Sequence, residues 1–245
     1  MKRVSVLVKK DIKELLSSRT TWGYLVLLVV LTFPYFDGAK SVLDKLSKDG
    51  ASVETLSVAT RQIIEGMFYS LPLVLIMLVC GVFTAYAVIM DKNKRTIESL
   101  LVTPVSLKQV WLAKSLAVAI PGVVIGVGVA VIAVLAIDIA VCAPVSGFVV
   151  PGYSPLVSAL VIIPILTFLI VMMVIALQLV MTNPRLASLI FTVIFMGVYI
   201  TTITGITTNW DYRLIYLGII AVLVFLNYFI SRFLTKERII LSSKG

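Results

Sequence analysis

Six apolar runs dominate the chain, at about residues 22–36, 67–90, 110–137, 156–181, 186–206 and 214–234, and none is broken by more than an isolated charge. A bilayer core about 30 Å thick needs roughly 20 apolar residues per helical crossing. Runs of this length satisfy their own backbone groups only as helices, because a barrel would show alternating strands of about ten residues. The expected fold is therefore all-α: a polytopic membrane protein with six transmembrane helices at about residues 20–36, 67–90, 110–137, 156–181, 186–206 and 214–234. The first run is short and borrows Thr20 and Thr21. With 60% hydrophobic and 13% charged residues in 245, the chain is too apolar for an ordinary soluble domain. Residues 1–245 read as one transmembrane domain with no room for a separate soluble catalytic one.

The positions of Lys and Arg orient the spans. With both ends of the chain inside, sixteen of the 21 basic residues fall on inner segments and five on outer ones, as the excess of cations on cytoplasmic loops requires. The net charge of +9 thus follows from topology and anionic lipid, with nucleic acid a poor alternative. The first run is followed by Asp37 and Lys40 rather than a small-residue cleavage site, so it is expected to be retained as a span. Residues 37–66 form the largest outer segment, long enough for a helix, with Val58, Ile63 and Ile64 leading into the second span. Residues 138–155, rich in Pro and Gly, are expected to form an outer loop of turns. There is no histidine, and the two cysteines, Cys80 in a run and Cys142 in that loop, offer no zinc ligand set and are expected to stay free.

Two short segments carry more information than the spans. Val4, Val8, Ile12, Leu15 and Leu16 recur at helical spacing while Lys9, Lys10, Lys13 and Glu14 take the other side, which predicts an amphipathic helix over residues 3–19 in the inner headgroup layer. The plain alternative is a positive-inside topology signal that happens to be helical. Between spans 2 and 3, Ile97, Leu100 and Leu101 fall at i, i+3 and i+4, Thr96 is placed to cap, and Glu98 sits in the first turn, where a carboxylate suits the helix dipole. Pro104 stops the helix, and Ser106-Leu107-Lys108-Gln109 fits a capping box that restarts the chain. The reading is a short cytoplasmic helix over residues 96–103. Such a helix is unstable alone, so its apolar face needs lipid or a partner protein.

The run Thr96-Ile97-Glu98-Ser99-Leu100-Leu101-Val102-Thr103-Pro104, followed ten residues later by Lys114, resembles the signature between spans 2 and 3 of ABC type-2 permeases, the membrane subunits of ATP-driven exporters. The resemblance extends to the six-span plan and the interfacial helix. Where members of that family often carry acidic residues and a glycine before this element, the chain reads Asp91-Lys92-Asn93-Lys94-Arg95, a more basic approach. The likeness implies a coupling helix, with Thr96, Ile97, Glu98, Leu100, Leu101, Thr103 and Pro104 seated in a groove of an ATPase subunit. It further implies two ATPase copies, a second permease that is a copy of this chain, and residence in the cytoplasmic membrane. ATP and magnesium would bind the ATPase, leaving this chain without a cofactor and without enzymatic activity of its own.

The residues themselves agree with that division. Lys114-Ser115 lacks the glycine frame that would cradle phosphate, and no Walker A pattern occurs. Ionisable groups are nearly absent from the spans, which counts against an ion-coupled carrier. Gln178 and Asn227, with Thr84, Thr192, Thr201 and Thr202, are the polar exceptions, and each amide reads either as interhelical packing glue or as a pathway contact. Gly122 and Gly126 fit the small-xxx-small pattern of close helix approach, one version of which is a seam between two copies. Pro72, Pro121 and Pro164 mark kinks. Trp22, Trp111 and Tyr228 near the inner interface, and Phe68, Tyr69, Tyr153, Trp210 and Tyr212 near the outer one, are expected to form aromatic belts. The competing functions are a self-contained channel or secondary carrier, and a non-transporting scaffold or immunity protein. A membrane-embedded enzyme has neither paired carboxylates nor an activated nucleophile to stand on.

Overall fold

The computed structural model describes residues 2–93, 106–181, 184–208 and 212–233. They are helical nearly throughout, with no strand among them. The elements are α1 (Lys2–Ser17), α2 (Arg19–Val30), α3 (Phe33–Lys48), α4 (Val53–Asn93), α5 (Leu107–Ile137), a π-helical turn (Asp138–Cys142), α6 (Ala143–Ser146), α7 (Tyr153–Val157), a second π turn (Ser158–Ile162), α8 (Ile163–Val180), α9 (Pro184–Thr208) and α10 (Tyr212–Phe233). Among the described residues five helical stretches are long and apolar enough to cross a membrane: Thr21–Lys48, Val53–Ala87, Leu107–Ser146, Tyr153–Val180 and Ile215–Arg232. Within α9 the apolar stretch Leu189–Thr202 is shorter.

The first expected span, residues 20–36, is two helices. Pro34 lacks an N–H, and its ring collides with the carbonyl four residues back, which is Val30, the last residue of α2. The chain turns through Leu31 and Thr32, whose hydroxyl donates to the Val29 carbonyl at 2.7 Å, before α3 begins. Alone, the twelve residues of α2 reach only about 18 Å. The continuous run with α3 is what is long enough to cross. Gly50, at φ 73°, takes the left-handed conformation that reverses the chain into α4, which starts at Val53 and so absorbs the expected helix of the outer segment into one 41-residue element.

Two prolines are accommodated in a second way. In both π turns the residue just before a proline reaches back five positions: Ala143 N–H to the Asp138 carbonyl ahead of Pro144, and Ile163 N–H to the Ser158 carbonyl ahead of Pro164. The wider turn takes up the extra residue and lets the helix pass a residue that would otherwise break it. Residues 138–146, expected as loop, are therefore helical, and the non-helical connection shrinks to residues 147–152, opened by Gly147 at φ 84°.

The core is built around α4 and α8. Leu71, Leu73, Leu75, Ile76 and Met77 of α4, and Leu166, Ile170, Val171, Val174 and Ile175 of α8, are all buried, and α4 packs on α5, α8 and α9 in turn. α4 and α5 approach each other closely at two glycines. A Cβ built on Gly126 would lie 2.7 Å from Ile76 Cα, and one on Gly122 would collide with Cys80 Sγ. The small-xxx-small face is thus consumed inside the chain, which corrects its reading as a seam between two copies. The aromatic belts are corrected in the same way. Trp111, Phe68 and Tyr69 are buried, and Trp111 Nε1 donates to the Met172 carbonyl of α8 at 2.7 Å. Trp22, Tyr153 and Tyr228 do stand exposed. Both Cys80 and Cys142 are free and buried.

Candidate functional site

Polar side chains gather at several places inside this apolar bundle. The first is where α1 crosses the start of α5. Ser106 opens α5 with the expected capping box: its hydroxyl accepts from Gln109 N–H at 3.4 Å, and Gln109 Oε1 accepts from Ser106 N–H at 3.1 Å. One turn further on, Lys114 is only 2% exposed and its Nζ lies 3.6 Å from Asp11 Oδ2 of α1. A charge so buried is tolerated only when paired, so this ion pair fixes where α1 sits. Around it, Val8 and Ile12 are half-buried and Leu15 is buried, while Lys9, Lys10, Lys13 and Glu14 are exposed. At the edge of the expected apolar face Leu16 is 40% exposed, and Asp11 packs towards α5 beside that face. Val4 lies in α1, but its side chain is outside the described ones. At the end of α1, the buried Thr21 hydroxyl donates to the Leu15 carbonyl and ties the start of α2 to it.

The sequence offered a signal for this pair that the spacing argument passed over. At about 100° per residue, Asp11 projects within about 20° of Val4, on the edge of the apolar stripe, and Lys114 is the lone charge in an otherwise apolar run. Thr96, Ile97, Glu98, Leu100, Leu101, Thr103 and Pro104 lie outside the described residues. The segment that contains them joins Asn93, the last residue of α4, to Ser106, the cap of α5.

The second place is a cavity of about 320 Å³ among α4, α8 and α9, into which Thr84, Gln178 and Thr192 all face. Its other walls are apolar, with Val174 and Phe191 inside and Met196, 49% exposed, at its edge. Gly81 lets Phe191 lie against α4, since a Cβ there would come within 2.7 Å of that ring. The structure separates the two amides named together from sequence. Gln178 lines the cavity, whereas Asn227 on α10 donates through Nδ2 to the carbonyls of Leu169, at 3.0 Å, and Leu223, at 2.9 Å. Asn227 is therefore packing glue between α8 and α10. Thr202 serves similarly, its hydroxyl 3.0 Å from that of Tyr216, and Thr201 is bonded to the Gly197 carbonyl of its own helix.

At the opposite end of the bundle, the first turns of α4 are fastened to the connection between α5 and α8. Thr60 and Ser146 hydroxyls are 2.7 Å apart, Tyr69 and Ser154 hydroxyls 2.9 Å, and both carboxylate oxygens of the buried Asp138 accept from Val149 N–H at 3.3 Å. Among the described residues no group of His, Cys, Asp or Glu is arranged to hold a metal.

Several membrane-length helices around an apolar core define a multi-pass membrane protein. The family model described as ABC-2 family transporter protein matches residues 5–209. The chain belongs to the ABC-2 transporter family, as the residues at 96–104 implied, and is the membrane domain, or permease subunit, of an ABC transporter. No curated protein and no solved structure matches it.

Proposed function

We propose that this chain is the permease of an ABC exporter, carrying a substrate outward with energy from ATP hydrolysed on a separate ATPase subunit. The observation that carries the reading is the family match over residues 5–209, which includes the segment 96–104. Two copies of the chain and two ATPase subunits form the transporter in the cytoplasmic membrane. Six spans cross it, with the 25 residues of α9 as the fifth, and the segments before the first and after the sixth are cytoplasmic. ATP and magnesium reside on the ATPase, and the chain itself performs no chemistry. The helix at residues 96–103 seats in the ATPase, and closure of the ATPase pair pushes on α4 and α5, the two helices that this segment joins. The lodging of α1 against α5 through Asp11 and Lys114 braces the same end of the bundle.

A tagged copy purified from native membranes is expected to bring down a nucleotide-binding subunit. Its absence across mild and harsh detergents sinks the proposal, and flux by the chain alone in liposomes, driven by an ion gradient, favours a carrier instead. Glu98→Arg or Leu101→Asp is expected to leave membrane insertion intact while separating ATP hydrolysis from transport. Unchanged transport in both variants removes the coupling role.

A further inference from the structure

We infer that the cavity among α4, α8 and α9 is a binding site for an uncharged, single-chain amphiphile drawn from the bilayer. Three observations carry this. Among the described residues the cavity walls contain no ionisable side chain, so a charged headgroup would enter without a counter-charge there, at a cost that a neutral hydroxyl or ester does not meet. The hydrogen-bonding groups that do line it, Thr84, Gln178 and Thr192, come from three different helices and converge on one space. The Thr84 hydroxyl donates to the Cys80 carbonyl of its own helix and so meets a ligand as an acceptor, while an amide such as that of Gln178 can both donate to and accept from a neutral polar head. Finally, the edge of the cavity is formed by Met196, and the neighbouring side chains of α9, Leu189, Val193 and Ile200, are exposed apolar groups, so it opens onto the surface that hydrocarbon covers rather than onto water.

Size narrows the occupant further. At about 320 Å³ the space is at the lower end of ligand pockets, which run from about 300 to 1,000 Å³. It admits one chain with a small head. Gln178 and Thr192 orient the head, and Val174 and Phe191 hold the chain. The inference concerns binding alone and does not depend on the transport reading, because neither an ATPase nor flux enters its test.

The test is photolabelling of the purified full chain in nanodiscs with a diazirine-bearing decanol, followed by peptide mapping. Labelling is expected to saturate and to fall on α4, α8 and α9 around Leu78, Val174 and Phe191. Unlabelled decanol should compete, with decylamine and decanoate weaker by at least about tenfold. Met196→Trp, at an exposed position that does not threaten folding, should close the mouth and remove most of the label. Gln178→Leu should abolish the advantage of decanol over decane as competitor. Labelling that never saturates and spreads over the exposed α10 residues Val222 and Phe225 overturns the site as mere partitioning. Equal competition by the charged analogues, or full labelling of Met196→Trp, overturns it as well, and the competitor series on the unaltered chain decides the matter even where a buried substitution disturbs the fold.

Discussion

Lys114 and Asp11 form a pair whose energetic sign depends on which partner is removed. Breaking a buried ion pair strands the remaining charge, while replacing both members with apolar groups is often nearly neutral. Lys114→Met is therefore expected to destabilise the detergent-solubilised protein by about 3 kcal/mol, and the double variant Asp11→Leu with Lys114→Met should regain most of that. The check is the temperature at which the monodisperse gel-filtration peak is lost; a double variant no better than the single would refute the pairing. Glycines provide a second contrast. Gly126→Ala places a methyl 2.7 Å from the Ile76 backbone and should cost about 1–3 kcal/mol through overpacking. Gly128→Ala, two residues on, meets nothing within 4 Å and should be neutral or stabilising by up to about 1 kcal/mol. The small-xxx-small spacing singled out Gly126 with Gly122, but the sequence did not show which neighbour lies across the helix interface. Gln178 and Asn227 were indistinguishable for the same reason, one lining a cavity and the other bonded to a neighbouring helix backbone.

At the scale of elements, local chemistry was legible and tertiary accommodation was not. The capping box at Ser106 and Gln109 is where its four-residue pattern predicted, since both of its bonds lie within one turn. The break after Val30 was also written locally, in Pro34, although residues 20–36 read as one span because hydropathy does not register a missing N–H. The π turns before Pro144 and Pro164 hid in the opposite way. A proline signals interruption, and only the packed helices around it make an extra residue in the turn preferable to a loop. The connection over residues 147–152 is short, and the hydroxyl contacts from α4 hold its flanks. Tyr69→Phe and Thr60→Val are each expected to cost about 1 kcal/mol and to speed amide exchange at Gly147 through Gly152 in particular. Exchange that rises equally throughout α5 and α8 would count against a local fastening.

For the whole molecule, the apolar runs set the all-helical plan, and what they left open was the side of the membrane on which each connection lies. The two native thiols are buried, so an engineered cysteine should report with little background. Lys45→Cys is expected to react with a membrane-impermeant maleimide in intact cells and Lys108→Cys only after permeabilisation; the reverse pattern would invert the topology. The helix running between those two sides is α4. Its 41 residues measure about 60 Å, roughly twice the hydrocarbon thickness. The tightly held layer at Leu71, Leu73 and Leu75 flanks Pro72, close to its midpoint. Pro72 leaves one backbone hydrogen bond unmade at that grip, so α4 is held and weakened at the same point. A sideways push delivered at Asn93, beside the segment that follows it, is taken up as bending at Pro72, so the inner half of α4 can swing while the outer half stays seated, without any helix melting or re-forming.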